Sequence, residues 1–148
     1  MKAFPHEYEV TASAGVAGEV SLSSTGLEVL RSAPPAEFDG PGDRWSPETL
    51  LVASIADCFI LTFRAIARFK GLEWQDLQCS VVGTLERAEG GPRFTRYLVK
   101  ARLVVPETVD PALARNLLEK AEHGCLVSNS LNGEITLELD VVANAGTP

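Results

Sequence analysis

Three cysteines, Cys58, Cys79 and Cys125, are the side chains in this sequence best suited to covalent chemistry. A thiol attacks or binds metal as the thiolate, so the question at each position is what would ionise it. Cys125 follows a helix-ending glycine, lies near His123 and opens a short turn. Backbone N–H groups at a helix start lower a thiol pKa, which makes Cys125 a candidate reactive thiol, with capping or packing as the competing role. Cys58 stands between Asp57 and Phe59 in the most apolar run of the chain, a setting in which free cysteine often behaves as a small hydrophobe. Cys79 takes an inward strand position between Gln78 and Ser80, beside Val81 and Leu85, with nothing near it to favour ionisation; it reads as core.

Other chemistries find few residues. His6 and His123 are the two histidines, the cysteines are dispersed, and neither C-x-x-C nor H-E-x-x-H spacing occurs, so no metal site is expected. A phosphate-binding loop, a dinucleotide glycine fingerprint and a serine nucleophile elbow are likewise missing, and no cofactor is expected. A cysteine hydrolase built on Cys125 and His123 would lack a clear orienting third group. Glu48 precedes Cys58 by ten residues, roughly 15 Å along a helix at about 1.5 Å per residue. Within one straight helix the two cannot touch. Either a second chain brings Glu48 to the Cys58 site, or Glu48 only complements the positive end of its own helix.

The elements that must position these residues are legible from period and punctuation. Between residues 6 and 32, Tyr8, Val10 and Ala12 alternate, Val20 and Leu22 follow Gly18, and Leu27 and Val29 follow Gly26, predicting three short strands in a meander. Residues 33–46, with Pro34, Pro35, Gly40, Pro41 and Gly42, predict a surface loop without regular structure. Ser46-Pro47-Glu48 writes a helix start: serine caps, proline suits the first helical position, glutamate favours the positive end. The helix should run to about Lys70 and stop at Gly71. Apolar residues cover most of its circumference, which predicts a central helix surrounded by protein.

Two alternating strands follow at 75–87 and 93–105, joined through Glu89-Gly90-Gly91-Pro92. A second helix spans about Pro111 to His123 between the Asp110 cap and Gly124, Cys125 to Leu131 suits a short helical turn, and a last strand covers 134–142. The order βββ-α-ββ-α-β describes one α+β domain over residues 1–148.

Bulk properties narrow the partners. A chain of 148 residues buries a core without staples, and a net charge of −7 with no basic stripe works against binding nucleic acid or anionic lipid. The N-terminal residues lack the apolar core of a signal peptide, making a cytoplasmic location the default. The apolar stretch from Leu50 to Phe69 approaches the length of a membrane span, but Asp57, Arg64 and Arg68 interrupt it, favouring a core helix. In a reducing compartment three cysteines do not predict a disulfide framework.

Two segments together, Trp45-Ser46-Pro47-Glu48 running to Asp57-Cys58-Phe59, and Ala121-Glu122-His123-Gly124-Cys125-Leu126-Val127-Ser128-Asn129-Ser130-Leu131, resemble the OsmC/Ohr family of osmotically inducible and organic hydroperoxide resistance proteins. The order of strands and helices is similar to that family over nearly the whole chain. The resemblance implies an OsmC-like fold in an intertwined homodimer with two sites at the subunit interface. It implies that Cys58 attacks the peroxide, that Cys125 forms a disulfide with the resulting sulfenic acid, and that Glu48 helps position the site. The implied reductant is a small dithiol such as a protein-bound lipoyl group, without metal or flavin.

Hydroperoxide-reducing members carry an early arginine that pairs with the helix-start glutamate. Here the comparable stretch is Gly15-Val16-Ala17-Gly18, leaving Arg31 and Arg44 as the candidates to substitute. Apolar groups around Cys58, Phe59 among them, would suit an alkyl or lipid hydroperoxide. The first reading is therefore a thiol peroxidase. The second is a protein that keeps the fold and binds a small apolar or thiol-reactive ligand at the dimer interface without turnover.

Overall fold

The computed structural model describes residues 1–144, in two compact units: residues 1–51, and the chain from Val52 onward. In the first unit β1 (Thr11–Ser13), β2 (Val20–Ser23) and β3 (Leu30–Ser32) pair antiparallel in the order β1-β2-β3, the meander that the alternation predicts. The segment 33–46 departs from expectation, because Ala36–Phe38 form a 3-10 turn. Its backbone groups are satisfied locally: Phe38 N–H donates to Pro35 C=O at 2.9 Å and Asp39 N–H to Ala36 C=O at 3.0 Å. Proline lacks a donor but keeps its carbonyl, so Pro35 accepts into the turn it cannot itself continue. Gly40 packs so tightly there that a Cβ would fall 1.7 Å from Pro34 O, which no side chain can satisfy.

The same unit holds the start of α1 (Pro47–Lys70). Ser46 Oγ accepts from Thr49 N–H at 3.1 Å and Thr49 Oγ1 accepts from Ser46 N–H at 2.8 Å, a reciprocal capping box with threonine in the third position. The helix stops where Gly71 takes φ 69° and Leu72 N–H returns to Ala67 C=O at 2.9 Å.

In the second unit, Ile55, Phe59, Phe63 and Ala67 of α1, each four residues apart, are buried in the hydrophobic core. Other apolar groups of the helix stay open, with Leu61 and Phe69 exposed. The chain thus buries one stripe of α1 and leaves other apolar groups of the helix exposed. Strands β4 (Asp76–Ala88) and β5 (Gly91–Pro106) form a long antiparallel hairpin. Its turn is Glu89-Gly90 alone; Gly91 and Pro92 belong to β5, where a proline is tolerated at the first residues of a strand. Gly83 admits α1 to this sheet, since a Cβ there would stand 2.9 Å from Val52 Cγ2.

The chain then crosses through α2 (Pro111–His123) and α3 (Leu126–Asn129) to β6 (Glu134–Asn144), which lies parallel to β5. Asp110 caps α2 by accepting from Ala112 N–H at 2.9 Å, as predicted. Inward residues of β5, Tyr97, Val99, Ala101, Leu103 and Val105, meet Ala114, Leu117, Leu118 and Ala121 of α2 and the buried stripe of α1. This two-layer α+β packing sets the corner between α2 and α3 beside the middle of α1.

Candidate active site

That corner brings together two thiols far apart in sequence. Cys58 lies in the middle of α1, half-buried, and Cys125 is the N-cap residue of α3, with no exposed surface. Cys125 takes an extended backbone (φ −69°, ψ 109°), and its carbonyl accepts the first α3 bond from Asn129 N–H at 3.0 Å. Side chains brace the corner: Asn129 Nδ2 donates to His123 C=O and Ser130 Oγ to Leu126 C=O, both at 2.8 Å. The late Ser-Asn-Ser segment therefore acts as a set of local staples that hold the start of α3.

The two thiols are near enough to influence each other's ionisation, and their environments push them apart in acidity. Burial, the largest single influence on Cys58, raises its pKa. Hydrogen bonds from Val127 N–H, the Cys125 thiol, the Thr62 hydroxyl and Leu126 N–H together outweigh it and hold Cys58 below the ordinary thiol value. Burial also raises Cys125, with the neighbouring Cys58 adding to it, and the bonds from Ser128 do not compensate. The sequence expectation assigned the helix-start effect to Cys125. The structure moves it: the N–H groups of Leu126 and Val127 serve Cys58, while complete burial keeps Cys125 protonated and able to donate.

The pair therefore consists of one thiolate-prone sulfur and one protonated thiol beside it. That division suits stepwise redox chemistry, in which one sulfur attacks and the other follows. Thr62 and Ser128 are the residues that the sequence reading missed. Thr62 Oγ1 lies 3.8 Å from Cys58 Sγ, one helical turn on, and Ser128 is buried within the first turn of α3. Their spacings, four after Cys58 and three after an N-cap, were the available signals.

The other expected residues lie elsewhere. Phe59 is 1% exposed within the core cluster, so its ring supports α1 and has no surface to offer a ligand. Burial pushes the Cys79 thiol up to about 11, and Cys79 packs against the core, as expected of a structural thiol. His123 is exposed and its Nδ1 lies 3.5 Å from Glu122 Oε2, so it does not activate Cys125. In the first unit, Arg44 Nε binds Glu19 Oε1 at 2.8 Å and Arg31 Nη1 lies 3.6 Å from Glu19 Oε2. Both candidate arginines share Glu19, and Glu48 Oε2 is buried without a hydrogen-bond partner among the described residues. Among the described residues no group of His, Cys, Asp and Glu side chains could hold a metal ion.

Residues 40–140 match the profile of the family described as OsmC-like protein. The chain is 29% identical to the Bacillus subtilis protein YmaD over 135 residues, 89% of this chain and 90% of that one. It is 30% identical over 133 residues to an organic hydroperoxide resistance protein of Xanthomonas axonopodis pv. citri, covering 87% and 89% of the two chains. Among solved structures, an organic hydroperoxide resistance protein of Legionella pneumophila superposes with a TM-score of 0.74 at 27% identity, over 95% of this chain and 99% of that one.

Proposed function

This chain belongs to the OsmC-like protein family, and we propose that it is a thiol-dependent peroxidase that reduces organic hydroperoxides through Cys58 and Cys125. One observation carries the reading: the Cys58 and Cys125 thiols are near enough to shift each other's acidity, with Cys58 favoured as thiolate and Cys125 as thiol. The Cys58 thiolate attacks the distal peroxide oxygen, the O–O bond breaks, and the leaving alkoxide takes a proton to become alcohol. Cys58 is now a sulfenic acid. The Cys125 thiol condenses with it, forming the S–S bond and releasing water, and an external dithiol returns both thiols by exchange. No cofactor takes part in this cycle.

The working unit is a homodimer in which Glu48 of one protomer approaches the Cys58 site of the other. Two observations support it: the apolar circumference of α1 left open at Leu61 and Phe69, and the buried Glu48 oxygen that has no donor among the described residues. A buried carboxylate oxygen without a partner is costly, and a second chain is a ready source of one. Sedimentation at micromolar concentration should find a dimer, and Glu48→Gln should lower peroxide turnover about ten- to a hundredfold without dissociating it. A stable monomer would refute this arrangement.

A second reading, binding without turnover, has its own support, because Arg31 and Arg44 are both engaged by Glu19. One assay separates the two. With dithiothreitol or a lipoyl dithiol as reductant, steady consumption of cumene hydroperoxide is expected, with no hydrolysis of an ester. Tight binding without consumption would establish the second reading instead.

A further inference from the structure

The thiolate at Cys58 lacks the family arginine at its usual place, which raises the question of what in this chain stabilises it. We propose that the Thr62 hydroxyl donates a hydrogen bond to Cys58 Sγ and is a thiolate-stabilising residue of this site, a role that rests on the reading of Cys58 as the attacking sulfur. The contact is 3.8 Å, within range for a sulfur acceptor, and it is the hydroxyl's one hydrogen bond among the described residues. A threonine in a helix can instead turn its hydroxyl back to the carbonyl four residues earlier, here that of Cys58 itself. No such bond forms among the described residues, and the hydroxyl lies toward the Cys58 sulfur instead.

Threonine is branched at Cβ, so its methyl and hydroxyl cannot be aimed independently. The Thr62 methyl faces Gly124 at the α2–α3 corner: a Cβ built on Gly124 would lie 3.5 Å from Thr62 Cγ2 and 3.3 Å from Lys120 O. A side chain at 124 would meet the Thr62 methyl at ordinary van der Waals distance, so the methyl lies beside the α2–α3 corner while the hydroxyl is within reach of the Cys58 sulfur. The same corner carries the N–H groups of Leu126 and Val127 to Cys58. A side-chain donor and two backbone donors thus converge on a single atom. Hydrogen bonds to an ionised acceptor are about twice as strong as neutral ones, so the contact stabilises thiolate over thiol.

Replacing Thr62 tests hydroxyl and methyl separately. Thr62→Val keeps the methyl and the shape, Thr62→Ser keeps the hydroxyl, and Thr62→Ala keeps neither. The readout is the pH profile of Cys58 alkylation by iodoacetamide, followed on the Cys58 peptide by mass spectrometry in the reduced full-length protein. Thr62→Val and Thr62→Ala should move the midpoint up by roughly half a unit to one unit, while Thr62→Ser stays near wild type. Should Thr62→Val fold poorly, the Ala and Ser pair still differ by the hydroxyl alone. Midpoints that stay at the wild-type value in Val and Ala, or a Ser midpoint that shifts as far as Ala, would overturn the proposal. Alkylation does not require peroxide, so absent turnover with an intact midpoint shift would defeat the peroxidase reading and leave the role of Thr62 standing.

Discussion

Cys58→Ser is expected to reduce hydroperoxide consumption to the uncatalysed background, with the protein still folded and able to assemble. The reason lies in one atom. Serine's hydroxyl is far less acidic than a thiol and a poorer nucleophile, so the donors that Leu126, Val127 and Thr62 direct at position 58 have no anion to stabilise. Nor can an alkoxide oxygen pass through a sulfenic state, which removes the intermediate on which the second thiol acts. The side chain is half-buried and nearly isosteric, so the change in stability should be about 1 kcal/mol or less. Cys79→Ser supplies the contrast. Its thiol is pushed up to about 11 by burial and makes no part of the proposed cycle, so turnover should remain near that of the wild type. A coupled assay that finds Cys58→Ser active, or Cys79→Ser equally dead, would remove Cys58 as the attacking group.

Cys125→Ser should produce a different defect of comparable size. The first equivalent of hydroperoxide should still be consumed, because the backbone donors to Cys58 come from Leu126 and Val127 and do not depend on the Cys125 sulfur. The product should then be a Cys58 sulfenic acid with no resolving thiol, which proceeds to sulfinic acid under excess peroxide, and steady turnover should stop. In wild type, one equivalent should consume two thiols and leave a Cys58–Cys125 disulfide that dithiol reverses. The thiols are near enough to influence each other's ionisation; forming the bond needs the two Cα atoms within about 7 Å, or movement of the short α3 turn. Peptide mass mapping after stoichiometric peroxide distinguishes these products. A wild-type protein that keeps both thiols free under that treatment would end the two-cysteine mechanism and favour binding without turnover.

The pH dependence follows from the direction at Cys58. Its pKa is lowered, so the reactive thiolate is present above that value and is lost as pH falls through it. Rapid consumption of the first equivalent should therefore persist to lower pH than an ordinary exposed thiol allows, and fail only below the Cys58 midpoint.

Much of the architecture was written locally and could be read from sequence. Ser46-Pro47 and Gly71 bound α1, Asp110 and Gly124 bound α2, and the alternating runs on either side of Glu89-Gly90 made the hairpin. Caps, turns and hydrophobic period are decided by neighbours within a few residues, which is why these boundaries agree to within a residue or two. The two segments around Cys58 and Cys125 also sufficed to name the two thiols and the family resemblance. The 3-10 turn at Ala36–Phe38 was hidden because its prolines and glycines suggest a loop, whereas the carbonyls of Pro35 and Ala36 have donors within reach.

What only the tertiary structure decided is which sulfur each field acts on. The N–H groups at the start of α3 are adjacent in sequence to Cys125, yet they serve Cys58, because packing α3 against α1 aims them across the gap. Burial, which no local rule reports for a residue beside a helix cap, then holds Cys125 as the thiol. The same holds for Glu19, which takes both Arg31 and Arg44 although Arg44 is nearer Glu48 in sequence. Acidity and ion pairing depend on distances and solvent access among groups remote in the chain, and those exist only once each unit has folded.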